Sequence, residues 1–126
     1  MKPEKKEHVL SKDEDRVLEK TAELTRLLCK TDAYKNYEAD LAFLKGQQAQ
    51  YDKLNAFRKK HLELEFLEKD ESYYDKTEAL YEEYKDILME SAVRDFLASE
   101  QRVCRMMKKV YDAIALEMNL DISYMD

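Results

Sequence analysis

The chain has 126 residues, of which 44% are hydrophobic and 40% are charged, and its net charge is −6 at neutral pH. One glycine and one proline supply little for the tight turns of a sheet protein, so the composition favours long amphipathic helices. The acidic balance argues against a general nucleic-acid binder, because the surface as a whole repels a phosphate backbone. The length predicts a single helical domain over residues 1–126, with a modest core.

The N-terminal residues 1–10 (MKPEKKEHVL) are charged and lack the apolar centre of a secretory signal. No apolar run approaches the roughly 20 residues that cross a bilayer. We therefore expect a cytoplasmic protein without a membrane span. Residues 1–10 and 119–126 are expected to be flexible ends.

A first helix is predicted from Ser11 to about Lys30. Ser11 and Glu14 have the spacing of a capping box, in which the hydroxyl and the carboxylate each accept from a free amide at the helix start. Val17, Leu24 and Leu28 recur at helical spacing and form the apolar face of this helix.

A long central helix is predicted over about residues 32–69, capped by Thr31 or Asp32. The segment has no proline, and Gly46 is its single glycine. About 37 helical residues extend roughly 55 Å, whereas a globule of this size is about 35 Å across. One end of such a helix would overhang its own chain, which predicts self-association.

Two more helices complete the predicted fold. Ser72, with Asp75 three residues on, is the expected start of a third helix that ends near Leu88. A fourth runs from about Ala92 to Met118, and Asn119 tolerates the left-handed conformation that ends helices. The fold class is therefore all-α, a self-associating bundle of about four helices.

No residue pattern predicts catalysis or a cofactor. Neither His8 nor His61 belongs to a Glu-x-x-His pair, and Cys29 and Cys104 lack CxxC spacing. A single glycine cannot form a phosphate-binding loop. We expect no enzyme activity, no metal site and two free thiols, with a redox or metal sensor as the alternative for the cysteines.

Tyrosine is unusually frequent, with nine residues. Its apolar ring and polar tip suit half-buried contacts and interfaces. Together with apolar positions on the predicted helices, the tyrosines give a predicted interface that comprises Tyr37, Leu41, Leu44, Tyr51, Phe57, Tyr81, Tyr84, Phe96, Met107 and Tyr111. A helical core explains many of the same residues.

Arg102, Arg105 and Lys109 recur at helical spacing on the last predicted helix. One interpretation is a basic docking patch for an acidic partner or an RNA backbone. The other is that cations gather in the C-terminal part of a helix, where the dipole favours them, and pair with neighbouring glutamates.

The segments 31–37 (TDAYKNY) and 93–100 (VRDFLASE), with a long helical region between them, resemble the YlbF/YmcA family of bacterial regulators. The similarity spans about residues 14–118. It implies an all-helical protein that forms a homodimer or a heteromer with a paralogue. In Gram-positive bacteria such proteins join the partner YaaT in a complex that affects competence, sporulation and biofilm formation and is linked to RNase Y.

Some complexes of that family hold iron–sulfur clusters through a cysteine-rich tail. This sequence ends at Met125–Asp126 without such a tail, and two cysteines are fewer than the four thiolates that a cluster usually needs. We therefore expect no cluster. The resemblance predicts a non-enzymatic regulatory adaptor that acts by helix-mediated protein contact; the alternative is an RNA-associated accessory protein that uses the basic patch.

Overall fold

A computed structural model describes residues 11–121 and 123–125 of the chain. The described part contains no strand, which confirms the all-α prediction. Its α-helices follow one another as α1 (Lys12–Leu28), α2 (Asp32–Lys45), α3 (Gln48–Leu64), α4 (Glu71–Glu83), α5 (Lys85–Leu88) and α6 (Ser91–Glu117), and a short 3-10 helix spans Ser123–Met125. The expectation for residues 1–10 lies outside the described residues, as does part of that for 119–126.

Several helix ends form as the sequence predicts. The Ser11 hydroxyl accepts from the Glu14 amide at 3.2 Å, and the Glu14 carboxylate accepts from the Ser11 amide at 3.1 Å. Thr31 caps α2 by accepting from the Tyr34 amide at 3.2 Å. Asn119 follows α6 with a φ of 58°, in the left-handed region. The predicted fourth helix is α6, nearly to the residue.

The single long helix over residues 32–69 is wrong, because the chain breaks between α2 and α3. Gly46 keeps a helical backbone, with φ −68° and ψ −14°, and Gln47 leaves the helical region, with φ −110° and ψ 76°. Asp70, rather than a continuing helix, then caps the next element. The length of residues 32–69 therefore no longer predicts self-association.

After the break at Gln47 the chain reverses, so that α2 and α3 both reach α6. From α2, the Tyr37 ring lies 5.7 Å from the Phe96 ring, and from α3, Arg58 pairs with Glu100 at 2.7 Å. Helix α2 thus packs mainly against α6, whereas α3 packs mainly against α4 and reaches α6 through Arg58. The apolar faces of both helices are therefore covered by other helices of the same chain.

The predicted third helix also differs from the structure. Its N-cap is Asp70 rather than Ser72, since the Asp70 carboxylate accepts from the Tyr73 amide at 3.0 Å. It is divided at Tyr84, where φ is −104° and ψ is 14°, into α4 and the single turn of α5. The described residues therefore form six α-helices instead of about four.

The core lies between α2 and the N-terminal half of α6, and α3, α4 and α5 close it. Ser99 on α6 donates a hydrogen bond to Asp40 on α2, which ties the most extensive helix pair together. None of the residues of α1 is buried. The buried cluster comprises Leu44, Leu54, Phe57, Leu80, Ile87, Val93 and Phe96.

Candidate interaction surfaces

The predicted interface residues fall into three groups in the structure. Leu44, Phe57 and Phe96 lie in the core of the chain itself. Tyr37, Leu41, Tyr51 and Tyr84 are half-buried and pack against that core. Tyr81, Met107 and Tyr111 leave about half of their surface exposed. Only this last group presents a large apolar area outward.

The apolar stripe of α6 is covered at one end of the helix and open at the other. Val93 and Phe96 are buried in the N-terminal half. The same face continues past the end of the core as four side chains, which we name the α6 seam. Their exposed fractions are 50% for Met107, 49% for Tyr111, 48% for Ile114 and 63% for Met118.

Helix α1 lies beside the far end of this seam. Val17 and Leu24 of α1 and Ile114 of α6 line a groove of about 450 Å³. Asp13, Arg16 and Lys20 border the same groove. The apolar periodicity of α1 and α6 is visible in the sequence, yet Val17, Leu24, Ile114 and Met118 are absent from the predicted interface.

Other exposed apolar side chains gather where α3 ends. Leu62 lies in its last turn, and Phe66 and Leu67 follow in the connection to α4. These side chains do not extend the face of α3 that packs against the core. Nearby, His61 lies 3.5 Å from the Tyr81 hydroxyl and stacks on Phe57, with ring centroids 5.7 Å apart.

The three predicted basic residues come together in one groove, as their helical spacing indicates. Arg102, Arg105 and Lys109 line a groove of about 620 Å³ with Lys30 and Asp32 from the junction of α1 and α2. We name these four cations and this carboxylate the basic groove. Within residues 11–121 and 123–125, none of the four cations pairs with a carboxylate.

Two cations in the C-terminal half of α3, Arg58 and Lys60, form a second basic cluster, and both pair with acidic residues of other helices. Arg58 pairs with Glu100 on α6 at 2.7 Å, and Lys60 pairs with Glu83 on α4 at 3.3 Å. A hydrogen bond from Lys60 to Tyr84, ahead of that to Glu83, raises the pKa of the lysine. This cluster ties helices together and offers little free charge.

Both cysteines are free thiols with exposed side chains. Electrostatic interaction with Cys29, followed by that with Glu38, raises the pKa of Tyr34. Among the described residues, no three histidine, cysteine or acidic side chains are grouped so as to hold a metal ion. No helix in the same part of the chain has the length and apolar character needed to cross a membrane.

Comparison with known proteins identifies a family. The family model described as "Control of competence regulator ComK, YlbF/YmcA" matches residues 17–119, a range that includes the α6 seam and the basic groove. No curated protein and no solved structure matches significantly. The description names a regulator and not an enzyme. The match confirms the resemblance found in the sequence, and the chain belongs to the YlbF/YmcA family of proteins that control competence.

Proposed function

We propose that the protein is a non-enzymatic regulatory adaptor that associates through its helices with a second copy or with a paralogue. The α6 seam carries this proposal. Four long apolar side chains stay half exposed although they continue a stripe that is buried elsewhere on the same helix. Contiguous apolar surface of this kind marks protein contacts, because covering it removes apolar area from water.

The pattern of the seam suits another helix. Met107, Tyr111, Ile114 and Met118 follow one another at intervals of four, three and four residues, which is the spacing of the contact face in a pair of packed helices. This repeat allows a partner helix to insert its side chains between successive turns. A second helix with the same repeat is available on another copy of the chain.

The charges around α1 also fit a symmetric contact. Asp13, Arg16 and Lys20 border the groove that Val17 and Ile114 line, so both signs of charge flank the apolar surface. In a two-fold contact each surface meets its own copy, and mixed charges can pair across the axis. A surface of a single sign would repel itself.

Sedimentation velocity at micromolar concentration tests the proposal. We expect the native chain to sediment well above the 15.1 kDa of one subunit. The I114D variant should sediment as a monomer, because it places a charge in the seam. L116D is the matched control, since Leu116 is 78% exposed and lies two residues on, on the opposite side of α6.

A native chain that sediments as a monomer would contradict the proposal. Equal effects of I114D and L116D on sedimentation would contradict it as well. Circular dichroism of both variants would show that each is folded.

The resemblance to the family supports a more specific role. We propose that the adaptor joins a YaaT-like partner in a complex linked to RNase Y and that it thereby affects competence, sporulation and biofilm formation. Capture of a YaaT-like protein by immobilised L116D, with loss of that capture on I114D, would support both the partner and the use of the seam. Equal capture by the two variants would place the partner on another surface.

A second candidate function is that of an RNA-associated accessory protein. Its support is the basic groove, where Arg102, Arg105 and Lys109 meet with no carboxylate pairing them in the described chain. Contact with an RNA backbone would weaken steeply as salt rises, because binding releases condensed counterions. Charge reversal at the three positions should abolish it. Absence of RNA binding at low salt would dispose of this candidate.

A further inference from the structure

The basic groove concentrates positive charge in a small space. Arg102, Arg105 and Lys109 follow one another at intervals of three and four residues, so they occupy one side of α6 over about 10 Å of its axis. Lys30 approaches from the junction of α1 and α2, on the other wall of the groove. The four cations therefore surround a short cleft instead of following an extended track.

The local charge of the groove is opposite to that of the whole chain. One carboxylate, that of Asp32, lines it beside four cations, whereas the chain as a whole carries −6. At physiological salt, charges more than about 8 Å away are largely screened. A small anion in the cleft therefore interacts mainly with the four cations, whereas a long polyanion would extend beyond them over a chain whose net charge is −6.

The walls and floor of the groove suit a compact ligand. Ala33, which is buried, and Met106, which is half-buried, also line it. The first turn of α2 opens at the groove, so the positive end of its dipole adds to the field of the side chains. The two arginines offer forked donors that match phosphate oxygens.

We propose that the basic groove binds a chain of two or three linked phosphates, as a free oligophosphate or as the phosphate moiety of a nucleotide. A single phosphate cannot contact cations spread over about 10 Å of helix, whereas linked phosphates can. This inference is independent of the adaptor proposal, because the groove and the α6 seam lie on different sides of α6. It competes with the RNA candidate for the same residues.

Isothermal titration calorimetry tests the inference, with inorganic tripolyphosphate, a nucleoside triphosphate and inorganic phosphate as separate ligands. We expect tripolyphosphate to bind at least about tenfold more tightly than inorganic phosphate. The double variant R102Q/R105Q should lose at least about tenfold in affinity for tripolyphosphate. D32N should bind more tightly than the native chain, because it removes the one carboxylate of the groove.

K108Q is the control, since it removes a charge of α6 that does not line the groove, and the Lys108 ammonium group pairs with Asp112 at 2.7 Å. It should bind tripolyphosphate like the native chain. Nucleoside triphosphate that binds more tightly than tripolyphosphate would support the site and identify a nucleotide as the ligand. Equal affinities for the nucleoside triphosphate and tripolyphosphate would support the site and identify the phosphate chain alone as the ligand.

The inference would be overturned if tripolyphosphate did not bind at low salt, or if it bound no more tightly than inorganic phosphate. It would also be overturned if R102Q/R105Q and K108Q lost affinity for tripolyphosphate equally. Tighter binding of a single-stranded RNA with a 5′-hydroxyl end would also overturn it, in favour of backbone contact. Sedimentation of R102Q/R105Q should match that of the native chain, so failure at the groove is distinguishable from failure of the adaptor proposal.

Discussion

Arg58 donates a hydrogen bond to the Glu100 carboxylate at 2.7 Å, and its guanidinium carbon lies 5.6 Å from the centroid of the Phe96 ring. The two residues are 42 positions apart in sequence, and their contact joins α3 to α6. Both side chains are partly buried, so the pair is less screened than a surface ion pair. The Arg58–Glu100 pair thus holds α3 against α6 after the chain reverses at Gln47.

A double-mutant cycle should detect this contact. We expect R58Q and E100Q each to lower the free energy of unfolding, with a coupling energy of about 1 kcal/mol between them. R58Q should cost more than E100Q, because it also removes the cation above the Phe96 ring. Urea unfolding followed by circular dichroism measures all four free energies. Strictly additive losses would show that the ion pair contributes nothing.

Replacement of Gly46 tests what breaks the helix between α2 and α3. Gly46 has a helical φ, and an added Cβ would lie 3.3 Å from the Phe43 carbonyl oxygen and 3.8 Å from that of Ala42. Alanine fits this backbone and restricts the unfolded chain, so we expect G46A to raise the free energy of unfolding by about 0.5 kcal/mol. Thermal and urea unfolding provide the measurement. A loss above about 1 kcal/mol would show that the close contact with Phe43 cannot relax.

A charge on α1 should weaken the proposed association. We expect V17D to lower the affinity between subunits at least about tenfold, because Val17 lines the groove that includes Ile114. A22D is the control: Ala22 is exposed on the same helix and points well away from Val17. Sedimentation across a concentration series gives both affinities. Unchanged affinity in V17D would restrict the contact to α6.

The Glu65 carboxyl should have a pKa below its ordinary value. A hydrogen bond from Lys69, at 3.0 Å, is the main cause that lowers the pKa of Glu65. The folded state therefore holds this proton less tightly than the unfolded chain does. The stabilisation exists above the ordinary carboxyl pKa and is lost as pH falls through the lowered one.

NMR titration of the Glu65 side chain in the native chain and in K69Q measures this effect. The pKa of Glu65 should rise in K69Q toward its ordinary value, and K108Q, which alters an ion pair elsewhere, should leave it unchanged. A pKa that is equal in all three proteins would contradict the assignment to Lys69.

The sequence predicts helix ends where one side chain satisfies a local amide. Ser11, Thr31 and Asn119 act through residues at most three positions away, and their roles follow from local rules. The chain reversal at Gln47 brings α2 and α3 to Phe96 and Glu100, which lie far along the chain. The spacing of nearby residues could not predict this reversal, although the polar residues 45–50 coincide with its position.

The candidate surfaces were predictable to different degrees. Helical spacing alone brings Arg102, Arg105 and Lys109 to one side of α6, and it could not show that Lys30 joins them from a distant junction. Periodicity likewise identifies apolar faces without showing which are covered. Leu44 and Phe96 therefore entered the predicted interface although they are core residues, and Ile114 was omitted although it is exposed.

The absence of buried residues in α1 has a thermodynamic consequence. The core cluster draws on every α-helix from α2 to α6, so detaching α1 would open no cavity and expose little apolar area. The amide protons of α1 should accordingly exchange with solvent through a local opening that costs far less than global unfolding. Whatever covers Val17 and Leu24 would slow that exchange, so hydrogen exchange in this one helix reports occupancy of the surface.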